Sequence, residues 1–227
     1  MLVLWDLDQT LLSAAEFGQF AIRSAFEQLL HVPPTSAVPV AGRTDKAIIA
    51  DLIRHTDPEL SHRGIDVQTR AVEIAEQQRS TFRSGGGHPL PGATDALDAL
   101  NSRGDVLQSV VTGNLEGIGR IKLSELGLDR HLDLSIGAFG DNHIERADLV
   151  ALARDRAETR FGVKFEDRCV VVIGDTPLDI AAASKNNVHS IAVSTGNYTA
   201  ADLRAAGADT VVPDLLHLSE LLASIPA

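Results

Sequence analysis

Residues 1–12 read Met1-Leu2-Val3-Leu4-Trp5-Asp6-Leu7-Asp8-Gln9-Thr10-Leu11-Leu12. The run Leu2–Trp5 is apolar at every position, which predicts a strand buried on both faces, as in a parallel sheet. Asp6 and Asp8 follow where that strand ends. Side chains two apart on an extended chain share a side, and two like charges held that close repel unless a cation lies between them. In isolation the same pattern also suits a turn with solvated acids, so the rest of the chain decides.

Further strands are predicted at Val106–Val111, Leu132–Ile136, Cys169–Ile173, Ser190–Val193 and Thr210–Val212. Helical periodicity separates most of them, at Ala93–Ser102, Leu115–Leu126, Arg146–Arg160, Leu178–Lys185, Ala200–Ala206 and Leu215–Leu222. Alternation of this kind predicts an α/β fold with a doubly wound parallel sheet. Between the first two strands the pattern changes to amphipathic helices at Glu16–Leu30, Asp45–His55 and Val67–Arg83. That is too much helix for one crossover and reads as an inserted helical domain over 15–85, with 1–14 and 86–227 forming the α/β core. The glycine triplet Gly85–Gly87 closes the insertion, and because no strand precedes it a hinge is the expected use.

Composition narrows the function. Thirty-one acids against 20 Lys and Arg give a net charge of −11, which argues against nucleic acid or an anionic membrane as a partner. A small phosphorylated metabolite stays compatible, because one local cation inverts the field at a site. The single cysteine, Cys169, lies in an apolar run and reads as a core residue. No signal peptide is expected ahead of the first strand, and no apolar run approaches the ~20 residues of a bilayer span. A soluble, cytoplasmic protein is expected. Zinc has little support, since no histidine sits in an H-x-x-x-H pair or beside the cysteine. There is no G-x-x-x-x-G-K-[ST] loop, and Gly117-Ile118-Gly119 falls inside a predicted helix.

In open parallel sheets ligands bind beyond the carboxyl ends of the strands. Asp6 and Asp8 stand at one such end. Thr112-Gly113-Asn114 stands at a second and Gly174-Asp175-Thr176-Pro177-Leu178-Asp179 at a third. Each of the last two alone is an ordinary helix cap. Together the three ends bring four carboxylates, a hydroxyl and a helix N-terminus, and oxygen ligands of this sort suit Mg²⁺.

These stretches resemble the motifs of the haloacid dehalogenase superfamily, on the phosphoglycolate phosphatase-like branch with a helical cap after the first strand. Asp6-Leu7-Asp8-Gln9-Thr10 is similar to D-x-D-x-T, Val111–Asn114 to the second motif, and Gly174–Asp179 to the fourth. Pro89-Leu90-Pro91-Gly92 resembles the re-entry from cap to core. Gln9 stands where many members have glycine, a position expected to be tolerant. The third motif is usually lysine; here Arg146 is the best-placed candidate, and Lys122, in mid-helix, is expected to pack or face solvent.

The resemblance implies a Mg²⁺-dependent phosphatase acting on a small phosphate monoester. It assigns Asp6 as the nucleophile that becomes phosphorylated and Asp8 as general acid and base. Mg²⁺ would be held by Asp6, Asp175 and the backbone carbonyl of Asp8, with Asp179 orienting the metal's water or a cation. Thr112 and Arg146 would hold the transferring group, and Thr10, Gly113 and Asn114 would line its site. On the cap, Arg43 and Lys46 are expected to bind the rest of the substrate, which would then carry a second anionic group such as a carboxylate. A phosphomutase or a nucleotide or pyrophosphate hydrolase of the same superfamily is the nearest alternative, and a regulatory phospho-acceptor domain is the alternative from another class.

Overall fold

The computed structural model describes residues 1–34, 38–217, 221 and 223. Its centre is a five-stranded, all-parallel sheet. In spatial order the strands are β4 (Leu107–Val110), β1 (Leu2–Trp5), β5 (Val170–Gly174), β6 (His189–Val193) and β7 (Thr210–Val212). Strand β1 sits between β4 and β5, with Leu2 opposite both Leu107 and Val170. Its all-apolar sequence follows from that position, because both faces are covered. Val3 and Trp5 enter one core with Val171 and Ile173, while Leu2 and Leu4 enter the other with Val170 and Val172. The strand period of two thus divides one run of residues between two hydrophobic layers.

Helices α4 (Ala93–Asn101) and α5 (Glu116–Leu126) cover the first face; α6 (Arg146–Phe161) and α7 (Pro177–Lys185) cover the second. Helix α8 (Ala200–Ala205) packs through Leu203 in a small third cluster. A short antiparallel ribbon pairs β2 (Leu12–Ser13) with β3 (His88–Pro89). That ribbon brings together the two ends of the segment between them, which holds α1 (Phe17–Leu30), α2 (Asp45–Thr56) and α3 (Gly64–Gln77). The glycine triplet lies in the turn that leads into β3, with Gly86 at φ +104.

Two expectations are corrected. Leu132–Ile136 is not a strand. Asp133 turns its carboxylate onto the backbone N–H and the hydroxyl of Ser135, and this local turn competes with the ladder. The segment still meets β4, through Asp133 N–H donating to the Gln108 carbonyl at 2.9 Å and through an isolated bridge from Ala138 to Val111. The helix expected over Val67–Arg83 starts earlier, at Gly64, and ends at Gln77, followed by a 3₁₀ turn at Arg79–Thr81. The predicted helix Leu215–Leu222 opens in a turn at Leu215 and Leu216 and then falls largely outside the described residues.

Candidate active site

Three strand ends and one helix start converge on a single cavity of about 430 Å³, roofed by the helical segment. Asp6 follows β1 and is fixed by its N–H donating to the Ile173 carbonyl at 2.9 Å. The Leu7 carbonyl accepts from the N–H groups of Thr10, Leu11 and Leu12. That tight loop keeps Asp8 on the same side as Asp6, and both line the cavity. Gln9 takes a left-handed φ of +63 in this loop, a conformation that glycine adopts without strain. Asp175 follows β5, and Arg146 opens α6.

Each of the two front carboxylates has its own cation. One Nη of Arg146 lies 2.5 Å from Asp6 Oδ1 and 2.5 Å from Asp179 Oδ1. The other donates to the Gly42 carbonyl at 3.1 Å. Lys122 Nζ meets Asp8 at 2.9 and 2.7 Å and Asn114 Oδ1 at 2.5 Å. Arg146 and Lys122 thus occupy two positions: Arg146 pairs with Asp6 and Lys122 with Asp8. Lys122 had been expected to pack or face solvent, and that is corrected. It is only 2% exposed, and its ammonium ends inside the site.

Burial sets the protonation balance. It pushes Asp6 up to about 6, against the lowering effect of Arg146. Burial, reinforced by the neighbouring charges of Asp6 and Asp179, takes Asp175 to about 8. For Arg146, burial alone would lower the value, but Asp179 and Asp6 outweigh it and drive it upward.

The donor set fits a hard divalent cation. Asp6, Asp175 and Asp179 each place one carboxylate oxygen within 4.8 Å of the others. Among the described residues, Asp175 Oδ1 is buried without a hydrogen-bond partner, an arrangement that is costly unless something positive reaches it. Asp179 has less freedom. Its Oδ2 accepts from the backbone N–H and the hydroxyl of Thr176 in the box that caps α7. Asp8 stands outside this group, its carboxylate turned to Lys122.

The other expected residues divide. Asn114 lines the cavity and donates to Asp8 at 2.8 Å and to the Thr112 hydroxyl at 2.9 Å. Thr112 is fully buried behind it and reaches the cavity through Asn114. Thr10 is buried off the cavity wall, its hydroxyl without a partner among the described residues. Gly113 serves close approach: a Cβ there would lie 2.1 Å from the Arg43 carbonyl oxygen. The two cap-side residues fare differently, and only the expectation for Lys46 is corrected. Lys46 does not line the cavity and donates to the Asp141 carbonyl at 3.1 Å. Arg43 does line it, but its guanidinium is held by Asp51 at 2.6 Å and by the Pro39 carbonyl at 3.0 Å.

Asp45 escaped sequence reasoning. It opens α2 and lines the cavity. Its N–H donates to the Gly113 carbonyl at 2.7 Å, and its carboxylate accepts from Leu115 N–H at 2.8 Å. Burial raises it to about 7. The only sequence signal was an acid one residue after the capping Thr44.

The profile of the haloacid dehalogenase-like hydrolase family matches residues 3–184. No curated protein matches the chain. Among solved structures it is similar to a hydrolase from Pseudomonas syringae, with a TM-score of 0.69 and 21% identity over 100% of this chain and 98% of that one. A predicted phosphatase from Clostridium acetobutylicum gives 0.68 and 20%, covering 98% and 97%. CbbY from Rhodobacter sphaeroides, solved in complex with phosphate, gives 0.68 and 19%, covering 99% and 98%. At these identities the neighbours establish the fold, and the match over residues 3–184 establishes the lineage: the chain belongs to the haloacid dehalogenase-like hydrolase family.

Proposed function

We propose that this hydrolase is a phosphatase that cleaves a small phosphate monoester in two displacements, first onto Asp6 and then onto water. The observation that carries the reading is the pair Asp6 and Asp8, facing one cavity and each held by a different cation. An oxygen of Asp6 attacks phosphorus while the ester P–O bond breaks. Asp8 delivers the proton that the leaving oxygen takes up. Asp8, now ionised, removes a proton from water, whose oxygen displaces Asp6 from phosphorus. Inorganic phosphate leaves, Asp6 is regenerated, and Asp8 holds the proton for the next turnover.

Arg146 steers Asp6 and offers a planar fork beside the charge that accumulates on the transferring group. Lys122 and Asn114 together aim Asp8. Mg²⁺ fits the carboxylates of Asp6, Asp175 and Asp179, and when bound it supplies charge neutralisation for phosphoryl transfer. Residues 15–85 are read as a cap over the core formed by 1–14 and 86–227; the cap excludes bulk water from the cavity.

The test is steady-state hydrolysis of a generic aryl phosphate with Mg²⁺. Continuous turnover in the native protein and its loss in Asp6→Asn, with the fold retained, is the expected result. A single stoichiometric burst would instead mark a phospho-acceptor. Undiminished turnover in Asp6→Asn would remove the nucleophile.

A further inference from the structure

The cavity has room for more than a phosphate, and its walls differ in charge. Every cation that lines it is already engaged: Arg146 by Asp6 and Asp179, Lys122 by Asp8 and Asn114, Arg43 by Asp51. The exposed lip carries the opposite charge. Glu16 and Gln19, from the entry to α1, line the same cavity. Among the described residues, the Glu16 carboxylate has neither a hydrogen-bond nor an ion-pair partner. Two successive left-handed residues, Ala15 at φ +44 and Glu16 at φ +65, set the chain there.

We propose that the leaving portion of the substrate carries a protonated amine recognised by Glu16, so that the substrate class is an aminoalkyl phosphate monoester. This rests on the phosphatase reading. A substrate with a second anionic group would meet Glu16 and find no unengaged cation to offset the repulsion. An ammonium has three donors and no acceptor; it would find the two oxygens of Glu16, with the amide oxygen of Gln19 as a further acceptor. The net charge of −11 adds a long-range bias in the same direction.

The test compares three probes of similar size: 2-aminoethyl phosphate, 2-hydroxyethyl phosphate and carboxymethyl phosphate. One exposed charge contact is worth up to about fivefold, so kcat/KM should favour the amine over the alcohol by about fivefold. Repulsion added to lost attraction should widen the gap to about 25-fold against the carboxylate. Raising salt from about 0.05 to 0.5 M should compress both ratios, because the contact is exposed. Glu16→Gln should bring the amine-to-alcohol ratio near one, and Glu16→Lys should turn the preference toward the carboxylate. Both replacements keep an unbranched side chain at the left-handed position, and melting temperatures check that the fold survives. A native protein that hydrolyses carboxymethyl phosphate as well as the aminoethyl ester overturns the proposal, as does an amine preference that Glu16→Gln leaves intact. If even the aryl phosphate is not turned over, the phosphatase reading fails first and takes this one with it.

Discussion

Replacing Lys122 by methionine tests whether a second cation belongs to the chemistry. Methionine keeps an unbranched stem of similar length along a path that is 2% exposed, so packing changes little. Three contacts disappear: 2.9 and 2.7 Å to Asp8, and 2.5 Å to Asn114. Hydrogen bonds to charged groups contribute about 1.5–3 kcal/mol. Asp8 is 37% exposed on its side chain, so water replaces part of the loss, and the low end of that range applies. Asn114 still holds Asp8 at 2.8 Å. We expect kcat/KM on an alkyl phosphate to fall about ten- to thirtyfold, from a loss of roughly 1.5–2 kcal/mol. Stability should change by less than about 1 kcal/mol, because a buried ammonium is removed together with its desolvation penalty. Rapid-mix kinetics on an aryl phosphate separates the steps. Its leaving group needs no proton, so the first displacement should stay near native speed while the water step slows, giving a burst followed by a slow phase. A loss shared equally by burst and steady phase would place Lys122 on the phosphate itself. No loss in either phase would refute the assignment.

Arg146→Ala leaves Asp6 and Asp179 facing each other in a buried site; chemical denaturation should show a loss of about 3 kcal/mol, and turnover should fall at least about 100-fold. Arg146→Lys should recover part of both, since charge returns without the fork. Gly113→Ala drives a methyl to 2.1 Å from the Arg43 carbonyl, which should cost about 1–3 kcal/mol and make the helical segment easier to cleave in limited proteolysis. Asp45→Asn keeps an oxygen for Leu115 N–H and removes a carboxyl raised to about 7. A raised acid weakens the fold as pH climbs from its unfolded value toward its folded one. The variant should therefore gain on the native protein between about pH 4 and 7, level off above, and end roughly 2 kcal/mol ahead once screening of the half-buried group is allowed for; a pH-independent gap in urea midpoints would contradict this.

How much was legible depended on whether a residue's partner was near in sequence. Leu2–Trp5 announced a central strand because four apolar residues end abruptly in Asp6, and burial on both faces leaves no other use for them. Leu132–Ile136 looked similar but failed, because the bond from Ser135 back to Asp133 is a side-chain event that hydrophobic pattern does not record. Lys122 was misjudged for a related reason. Periodicity tells which face of α5 is buried, not that Asp8, 114 residues earlier, waits there. Lys46 erred the other way, and Arg43 reaches the cavity already paired. Their charge was visible, but the Asp51 carboxylate and the Asp141 carbonyl that occupy them belong to the folded state.

The loop Gly42–Asp45 ties the helical segment to the α/β sheet. Gly42 adopts φ +70, and a Cβ there would lie 2.5 Å from Thr176 Oγ1. Its carbonyl accepts from Arg146. Thr44 donates its hydroxyl to the Ile144 carbonyl at 2.8 Å. Asp45 reaches Gly113 and Leu115. Four consecutive residues of the helical segment therefore touch the ends of β4 and β5 and the starts of α5 and α6. Arg146 holds the Gly42 carbonyl through one Nη and Asp6 through the other, so its guanidinium joins this loop to the Asp6 carboxylate. A loop that reads in sequence as a carrier of substrate-binding cations also clamps the sheet ends in the folded chain, through main-chain groups at Gly42 and Asp45 and through the side chains of Thr44 and Asp45.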